Sequence, residues 1–334
     1  MLAIYTSAPW LMGEAREEPF RHLDEITAWT EELGCVGMLI FSDNTSFDPW
    51  IVAGRILTKS RDLVPLIAMN PVYQHPVSVA KSINSIAAGS GRRIGLNLVT
   101  GGFSRHLREM GCNLDHRQRY DRLAEFGAVI SELTSAERPL KYAGEYYQLN
   151  GLRPAPPPVA GLEPRIFVSG TSDDCIRVQK ELGATRLSYP REPQEYAEES
   201  LPADSGFRLG IIAREDSSTA WRLAHERFPV DRLGEEFHDL AYELVESHWH
   251  RRLSEDAMKV SAAIGGYWMY PFRAYKTFCP YIIGDYAETA NLLLQYMKLG
   301  ASTFILDEAS SKDDLFHSVQ VLRMAWSKYT ENHS

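Results

Sequence analysis

Two kinds of apolar pattern alternate along the chain. The first is a short, nearly continuous run of apolar and β-branched residues, which is typical of a strand buried on both faces in a parallel sheet. The second is a longer segment in which apolar residues recur every three or four positions, which is typical of a helix that buries one face. In the segment 19–33, for example, Phe20, Leu23, Ile26 and Trp29 recur at intervals of three. The alternation predicts an α/β protein.

The pattern predicts eight units of a strand followed by a helical segment. The predicted strands span residues 2–6, 36–41, 63–69, 93–100, 165–170, 185–189, 207–213 and 302–306. The predicted helical segments span residues 19–33, 49–59, 77–88, 117–133, 173–182, 217–263, 287–298 and 313–326. Units of this kind favour a closed parallel TIM barrel, the (β/α)8 fold, over an open doubly wound sheet. The pattern Gly-x-Gly-x-x-Gly is absent after the first strand, which argues against a Rossmann fold.

Two stretches depart from this alternation. Residues 141–164 are polar and rich in Tyr and Pro, and residues 230–281 join the end of a long helical region to a loop rich in Tyr and Gly. We interpret both as insertions in a single barrel domain over residues 1–334, a length suited to one large barrel.

The charge balance is acidic, with 44 Asp and Glu against 35 Lys and Arg and a formal net charge of −9. Such a surface argues against nucleic-acid binding, which needs clustered cations. The four cysteines form no Cys-x-x-Cys pair, so we expect buried free thiols and neither a zinc site nor a disulfide framework. No apolar stretch approaches the length of a membrane span, and the N-terminus resembles a strand more than a signal peptide. We therefore expect a soluble, cytoplasmic protein.

The carboxyl ends of the predicted strands carry an unusually polar set of residues. Because a TIM barrel builds its active site there, these residues are the first candidates for chemistry. They are Thr6, Ser7, Ser42, Asn70, Asn97, Thr100, Ser169, Gly170, Thr171, Ser172, Tyr189, Arg208, Arg214 and Asp307. The set lacks a dominant pair of carboxylates and a Gly-x-Ser-x-Gly nucleophile motif, which argues against a glycosidase and a simple hydrolase. Hydroxyls, amides and arginine without a nucleophile suggest that a cofactor carries the chemistry.

Two short segments are candidates for binding a phosphate. The segments 100–102 (Thr-Gly-Gly) and 169–172 (Ser-Gly-Thr-Ser) each place small residues and hydroxyls at a strand end. The second leads directly into a helix, whose N–H groups and dipole favour an anion. A simpler interpretation is that Ser172 only caps that helix, and the spacing alone leaves both open.

Several motifs in chain order resemble those of the bacterial luciferase-like flavin-dependent monooxygenases, and within them the alkanesulfonate monooxygenases. The segment 92–102 (RRIGLNLVTGG) resembles the fourth-strand motif, and 115–121 (DHRQRYD) resembles an Asp-His-x-x-Arg-Tyr element. The segment 167–172 (FVSGTS) resembles a flavin-phosphate turn. The segments 144–147 (GEYY), 154–158 (PAPPP), 282–285 (IIGD) and 299–306 (LGASTFIL) also match in order.

The resemblance implies a two-component monooxygenase that uses reduced FMN and O2, with a separate NAD(P)H-dependent flavin reductase as partner. It implies cofactor binding by Asn97, Thr100, Tyr120, Ser169, Gly170, Thr171 and Ser172. It also points to candidate catalytic residues, namely Ser42, Tyr189, Arg208 and, as a looser match, Arg273. Members of the family usually form dimers or tetramers, and we expect a homodimer or homotetramer that binds a small molecule.

Some positions differ from the alkanesulfonate monooxygenases. Ser46 stands in place of a Cys, Gly210 in place of a His, and Ala309 and Ser311 in place of a Tyr and a His. Pro9 and Trp10 lie near the position of another His. We therefore expect a substrate other than a sulfonate.

Two questions stay open at this point. The aromatic residues Trp10, Phe47, Trp50, Tyr189, Tyr267, Trp268 and Phe272 either line a substrate pocket or form ordinary packing. For the function, the alternatives to a monooxygenase are an oxidoreductase that uses the deazaflavin coenzyme and a non-catalytic flavin-binding protein.

Overall fold

The computed structural model of the protein describes residues 1–11, 20–101, 104–196, 201–202, 205–244, 254 and 265–331. The strands in these ranges are β1 (Ala3–Ser7), β2 (Gly37–Ile40), β3 (Val64–Met69), β4 (Gly95–Leu98), β5 (Leu140–Ala143), β6 (Gln148–Leu152), β7 (Arg165–Ser169), β8 (Thr185–Ser188), β9 (Ser205–Arg214), β10 (Tyr267–Trp268), β11 (Tyr281–Asp285) and β12 (Ala301–Leu306).

The α-helices in the same ranges are α1 (Arg21–Glu32), α2 (Pro49–Lys59), α3 (Pro76–Ser90), α4 (Ser104–Glu109), α5 (His116–Ser135), α6 (Asp173–Leu182), α7 (Ser217–Arg227), α8 (Arg232–Leu244), α9 (Tyr270–Arg273), α10 (Tyr286–Lys298) and α11 (Lys312–Glu331). Local sequence explains where several of them begin. Asp115 and Asp285 each form a capping box, at the start of α5 and α10 respectively. Pro49 and Pro76 occupy the first helical position of α2 and α3, where a missing N–H breaks no intrahelical hydrogen bond.

The strand order confirms the predicted barrel. The order β9–β12–β1–β2–β3–β4–β7–β8 accounts for eight strands, and β8 pairs again with β9. The described pairings within this series, such as β2 with β3 and β9 with β12, are parallel. A sheet whose last strand pairs with its first is closed, so the open doubly wound sheet is excluded.

The chain divides into two compact units. The first unit comprises residues 1–9, 28–36 and 187–334, and the second comprises residues 10–27 and 37–186. Each unit has its own fully buried residues. They include Phe207, Tyr281, Tyr296 and Phe304 in the first unit, and Met38, Leu66, Phe126 and Phe167 in the second.

The structure adds detail that periodicity did not predict. The segment 141–164 contains a hairpin in which β5 pairs with β6. The Tyr- and Gly-rich loop predicted within the insertion 230–281 covers residues 265–279, and it contains β10 and the single-turn helix α9. After it, β11 extends the sheet by pairing with β9. The predicted helical region 217–263 is divided, because α7 ends at Arg227 and α8 begins at Arg232. Pro229 lies in this break, where proline cannot continue a helix. Of the predicted segments, Pro19, Gly102 and most of residues 245–263 lie outside the described residues.

Candidate active site

The turn that follows β7 brings together several of the predicted cofactor-binding residues within the second unit. Strands β4 and β7 are adjacent, with Asn97 in register with Phe167. The hydroxyl of Ser169 donates a hydrogen bond of 2.7 Å to the side-chain carbonyl of the buried Asn97. An amide and a hydroxyl are thus held side by side at the carboxyl ends of two neighbouring strands.

Gly170 and Tyr120 make a close approach that depends on the missing side chain of the glycine. Gly170 has φ +143°, and a Cβ atom added there would lie 2.8 Å from the Tyr120 hydroxyl and 3.1 Å from the Cys175 sulfur. Tyr120 is buried on α5, and its hydroxyl lies beside the side chains of Thr100, Ser172 and Cys175. Burial raises its pKa above the usual value, so the phenol is neutral and keeps its proton for hydrogen bonding.

Ser172 caps the helix that begins at the end of this turn. Its hydroxyl oxygen accepts a hydrogen bond of 3.3 Å from the N–H of Cys175 in the first turn of α6. The helix-capping interpretation of the sequence is therefore correct. It is also compatible with phosphate binding, because the cap uses an acceptor site of Ser172 and leaves its O–H as a donor.

His116, in the first turn of α5, is a member of this cluster that the sequence interpretation did not single out. Its Nε2 atom lies 3.4 Å from the Ser172 hydroxyl and 3.8 Å from the Asp174 carboxylate. The signal was present, since His116 is part of the segment 115–121 that carried part of the resemblance.

These residues fit the phosphate end of a flavin. Two glycines leave room for close approach of the backbone. A Cβ atom on Gly170 would lie 2.8 Å from the Tyr120 hydroxyl, and one on Gly101, which has φ +84°, would lie 2.9 Å from the Asn70 amide nitrogen. Hydroxyl donors surround the N-terminal end of a helix, which attracts anions through its N–H groups and dipole. Thr171 is exposed in this turn and Ser172 is half-buried, so the turn is accessible to a ligand.

Two further predicted residues in the second unit lie near strand ends. Thr100 is half-buried after β4 and reaches Tyr120. Ser42 follows β2, and its hydroxyl donates to the backbone carbonyl of Ala68 on β3. In the structure Ser42 therefore links the segment after β2 to β3 by a hydrogen bond. Its catalytic role stays a prediction.

Arg208 is the centre of a second cluster, within the first unit. It lies on β9, and its guanidinium donates a hydrogen bond of 2.8 Å to the Asp307 carboxylate at the end of β12. Asp307 also accepts hydrogen bonds from the hydroxyls of Thr277, at 2.6 Å, and Tyr281, at 2.9 Å. Burial alone would raise the pKa of Asp307, but the charge of Arg208 and these hydrogen bonds hold it below the usual value.

Tyr281 explains the glycine at position 210. A Cβ atom on Gly210 would lie 2.2 Å from the Tyr281 ring, so the ring occupies the space where a side chain at this position would begin. Tyr281 is almost completely buried and directs its hydroxyl to Asp307. The predicted replacement of a family histidine by Gly210 is therefore accompanied by an aromatic ring that fills its space.

Tyr189 belongs to the same cluster as Arg208. It is buried, and its hydroxyl lies beside the Arg208 side chain. Burial raises the pKa of Tyr189 to about 12, against the opposing influence of the Arg208 charge. Tyr189 is therefore a neutral hydrogen-bonding group at physiological pH.

Arg273 is held by α8. Arg273 is the last residue of α9, and its guanidinium donates 2.9 Å hydrogen bonds to the Asp239 carboxylate and to the backbone carbonyl of Glu235, both on α8. Its Nη1 atom lies 3.0 Å from Nδ1 of the buried His238. These contacts fix the position of the Arg273 guanidinium. They do not test its predicted catalytic role.

The seven aromatic residues that the sequence suggested as a substrate pocket are divided between the two units. Tyr189, Tyr267, Trp268 and Phe272 are buried members of the core of the first unit. In the second unit Trp10 packs against Phe41, and Phe47 packs against Phe20. The described contacts therefore give these residues mainly a packing role. Three of them also have polar contacts: the indole N–H of Trp50 donates to Gln74, the hydroxyl of Tyr267 donates to the backbone carbonyl of Pro190, and Tyr189 lies beside Arg208.

Sequence reasoning also missed the partners of Arg208. Asp307 was recognised only as a strand-end residue, whereas Thr277 and Tyr281 lie far from Arg208 in sequence. The aspartate that follows an apolar strand was the only available signal.

The remaining predictions concern the cysteines, a metal site and membrane-spanning helices. All four cysteines are buried and free. Within the described residues no group of His, Cys, Asp and Glu has the arrangement of a metal site. None of the described helices is both long and apolar enough to cross a membrane.

Comparison with known proteins identifies relatives along almost the whole chain. The family model described as luciferase-like monooxygenase matches residues 1–303. A 4-(γ-L-glutamylamino)butanoyl-[BtrI acyl-carrier protein] monooxygenase, BtrO of Niallia circulans, is 31% identical over 313 residues, which cover 92% of each chain.

Solved structures share the fold at lower identity. The EDTA monooxygenase EmoA of Chelativorans sp. BNC1 is 17% identical with a TM-score of 0.71, over 98% of this chain and 94% of that one. The oxygenating constituent of 3,6-diketocamphane monooxygenase of Pseudomonas putida, a type II Baeyer-Villiger monooxygenase in complex with FMN, is 14% identical with a TM-score of 0.68, over 97% and 96%. The predicted resemblance is thus confirmed at the level of the family, while the closer likeness to alkanesulfonate monooxygenases stays a prediction. The chain belongs to the luciferase-like monooxygenase family, whose members include flavin-dependent oxidoreductases, and it is an enzyme of that class.

Proposed function

We propose that the protein is an FMNH2-dependent two-component monooxygenase that inserts one oxygen atom from O2 into a small organic substrate other than a sulfonate. The observation that supports this most is the turn at 169–172, where Ser169, Gly170 and Ser172 meet Asn97 and Tyr120 ahead of a helix N-terminus. Reduced FMN, when bound, supplies the electrons that activate O2.

The chain's own residues would bind and orient that cofactor. The hydroxyls of Ser172 and Thr171 and the N–H groups of α6 would hold its phosphate, since they are donors at a helix N-terminus. His116 would add a donor or a positive charge beside Ser172. The neutral phenol of Tyr120, which lies beside Thr100 and Ser172, would help to orient their hydroxyls.

The Arg208 cluster supports a substrate other than a sulfonate. A free buried arginine would favour an anionic substrate, but the charge of Arg208 is compensated by Asp307 at 2.8 Å. The space beside it at Gly210 is filled by the Tyr281 ring. We propose that Arg208 and Tyr189 take part in the reaction as a fixed hydrogen-bonding pair.

The name of the relative from Niallia circulans suggests one class of substrate to test. That enzyme acts on an acyl group carried by an acyl-carrier protein. We therefore propose that the substrates tried should include acyl thioesters on a carrier protein, together with free amines, ketones and alkanes. These represent N-hydroxylation, Baeyer–Villiger insertion and carbon hydroxylation.

The alternatives predict different cofactor behaviour. An oxidoreductase that uses the deazaflavin coenzyme is the first, because an F420-dependent secondary alcohol dehydrogenase shares the fold. A non-catalytic flavin-binding protein is the second. A monooxygenase should bind reduced FMN more tightly than oxidised FMN, whereas a deazaflavin enzyme should not bind reduced FMN.

The decisive experiment is rapid mixing of the anaerobic protein, loaded with reduced FMN, with oxygenated buffer. We expect slow flavin reoxidation through a transient absorbance that differs from both reduced and oxidised flavin. Reoxidation as fast as that of free reduced FMN would contradict the proposal. If reoxidation is slow but only hydrogen peroxide forms with every substrate, the non-catalytic alternative is favoured.

Three further features belong to the proposal. A separate NAD(P)H-dependent flavin reductase supplies the reduced cofactor, and the protein forms a homodimer or homotetramer in the cytoplasm. Sedimentation velocity of the purified protein tests the oligomeric state, and titration with a generic flavin reductase in a coupled assay tests the need for a partner.

A further inference from the structure

A groove in the second unit lies between the loop after β3, the loop between α4 and α5, and the tip of the β5–β6 hairpin. Its volume is about 640 Å³, within the usual range for sites that bind small molecules. Its lining mixes aromatic rings with polar groups and includes Tyr73, Gln74, His75, Arg122 and Tyr146.

Arg122 is the charged group of this groove. Its Nη2 atom contacts the Cys112 sulfur at 3.7 Å, a weak acceptor. Its Nε atom is buried and has no hydrogen-bond partner among the described residues. Within those residues no carboxylate lies within 4.0 Å of the Arg122 guanidinium, in contrast to Arg177 and Arg138, which each have a carboxylate within 3 Å.

The carboxylates nearest to Arg122 in sequence are committed elsewhere. Glu125 accepts three backbone N–H hydrogen bonds from residues 145–147, at 2.7, 2.9 and 3.0 Å. Asp121 accepts a hydrogen bond from Arg177, and Asp115 caps α5. A guanidinium that is partly removed from water without a counter-charge is costly, and an anion bound in the groove would relieve that cost.

The groove is a different place from the turn at 169–172. Tyr120, which reaches that turn, and Arg122 are only two residues apart on α5. Two residues on an α-helix differ by about 200° around its axis, so the two side chains leave α5 on nearly opposite sides.

Other groups in the groove suit the remainder of such a ligand. His75 stands at the N-cap of α3, where its Nδ1 accepts from the N–H of Val77 and its ring packs edge-on against Tyr147 at 5.3 Å. A neutral ring that accepts at Nδ1 carries its proton on Nε2, so His75 is a donor. Tyr73, 39% exposed, offers a ring surface for a planar or apolar ligand body.

We propose that this groove is a binding site for a small organic anion, with Arg122 holding its carboxylate or phosphate group and the aromatic residues holding its body. Arginine is the residue best suited to this role, because its planar guanidinium can donate two hydrogen bonds to one oxyanion. The proposal does not depend on the flavin, so it stands apart from the proposed function.

The test measures binding of phenyl phosphate, benzoate and uncharged benzamide to the full-length protein by isothermal titration calorimetry. We expect one or both anions to bind the wild type, and Arg122→Gln to weaken that binding at least tenfold. Arg122→Lys keeps the charge and should lose less than Arg122→Gln. Arg138→Gln removes an exposed arginine of the same unit that already has a partner, Glu132, and should change nothing.

Gly170→Ala separates this site from the turn. It should leave anion binding within about twofold of the wild type if the anion occupies the groove, because the atoms nearest to a Cβ on Gly170 belong to Tyr120 and Cys175, which do not line the groove. Loss of binding in Gly170→Ala together with retention in Arg122→Gln would assign the anion to the turn and overturn the proposal. Equal affinity for benzamide, or no binding of either anion to the wild type, would overturn it as well.

Discussion

The two clusters of candidate residues differ in the charges that they carry and in how those charges are paired. Around the turn at 169–172 the groups are neutral hydroxyls and an amide, joined by His116, and the turn is partly exposed. Around Arg208 they include a full ion pair, with only 13% of the Arg208 side chain and 11% of the Asp307 side chain exposed. Asp307 there accepts from three different residues.

This difference separates a surface prepared for a ligand from one whose charges are already paired within the protein. Neutral hydroxyls can exchange one hydrogen-bond partner for another at little cost, so the turn can accept a phosphate without leaving a group unpaired. The ion pair of Arg208 and Asp307 has no such freedom, because loss of either partner leaves a buried charge. Substitutions at the turn should therefore reduce cofactor affinity, whereas substitutions at the ion pair should reduce stability first.

The largest expected effect is that of Asp307→Ala. It removes the counter-charge of Arg208 and the acceptor of Thr277 and Tyr281. Breaking a buried ion pair from one side costs about 3–5 kcal/mol, so we expect a loss of this size in the free energy of unfolding. Urea denaturation followed by circular dichroism measures it.

A double substitution is the control for this interpretation. Replacing both partners by apolar residues of similar size, Arg208→Met with Asp307→Leu, should recover most of the lost stability. Glu132→Gln, which breaks an exposed pair with Arg138, should cost at most about 1 kcal/mol. If Asp307→Ala is as mild as Glu132→Gln, the ion pair is not the closed unit described above.

The secondary-structure elements differ in how far the sequence could predict them. The eight barrel strands were predictable because each is a short apolar run, as in 63–69, where β3 spans Val64–Met69. β10 and the single-turn α9 were not predictable, since two to four residues are too few to show a period. The break at 228–231 was marked by Pro229, a signal that the overall amphipathic pattern obscured.

The turn at 169–172 and the Arg208 cluster also differ in how far the sequence could predict them. The turn was predictable because its residues are close in sequence, from Ser169 to Ser172, and follow a strand. The partners of Arg208 come from residues 277, 281 and 307, and only the folded chain brings them together. The close approach of Tyr281 to Gly210 is likewise a consequence of tertiary packing that no local pattern encodes.

Gly170→Ala is the second-largest expected effect, and it appears in cofactor affinity. Alanine disfavours a φ of +143°, and its Cβ would lie 2.8 Å from the Tyr120 hydroxyl. The turn must therefore move, and we expect the Kd for reduced FMN to rise at least tenfold in an anaerobic fluorescence titration. Gly54→Ala is the matched control, since Gly54 is helical and an added Cβ would have no atom within 4 Å apart from its chain neighbours and its own helix backbone. It should leave affinity unchanged and add about 0.5–1 kcal/mol of stability.

Ser172→Asp separates the capping role of Ser172 from ligand binding. Aspartate caps helices as well as serine does, so the free energy of unfolding should change by less than about 0.5 kcal/mol. Its negative charge would repel a phosphate, so the affinity for reduced FMN should fall severalfold. Ser172→Ala should show the converse balance, with a stability loss of about 1 kcal/mol and a smaller loss of affinity. Unchanged affinity in both variants would mean that Ser172 serves only as a cap.

The smallest expected effect concerns the pH dependence of the contacts of Arg273, which are less buried than those of Arg208. Nδ1 of His238 lies 3.0 Å from an Arg273 nitrogen and must be unprotonated to accept from it. Burial, and then the charge of Arg273, lower the pKa of His238 below its ordinary value of 6.5. A lowered folded-state pKa means that this contribution to stability is fully present above about pH 6.5 and is lost as the pH falls through the folded value.

Acidification from pH 7.5 to pH 5 should therefore speed hydrogen exchange in α8 and α9 and lower the Tm by about 2 °C. Asp239 limits the effect, because its carboxylate still holds Arg273 at 2.9 Å and favours the protonated histidine. In His238→Gln the acid-dependent part should disappear, since glutamine does not titrate. If the acid-induced loosening persisted in that variant, or appeared first at the Asp307 network, the contrast between a closed ion pair and a weaker, pH-sensitive arginine site would be wrong.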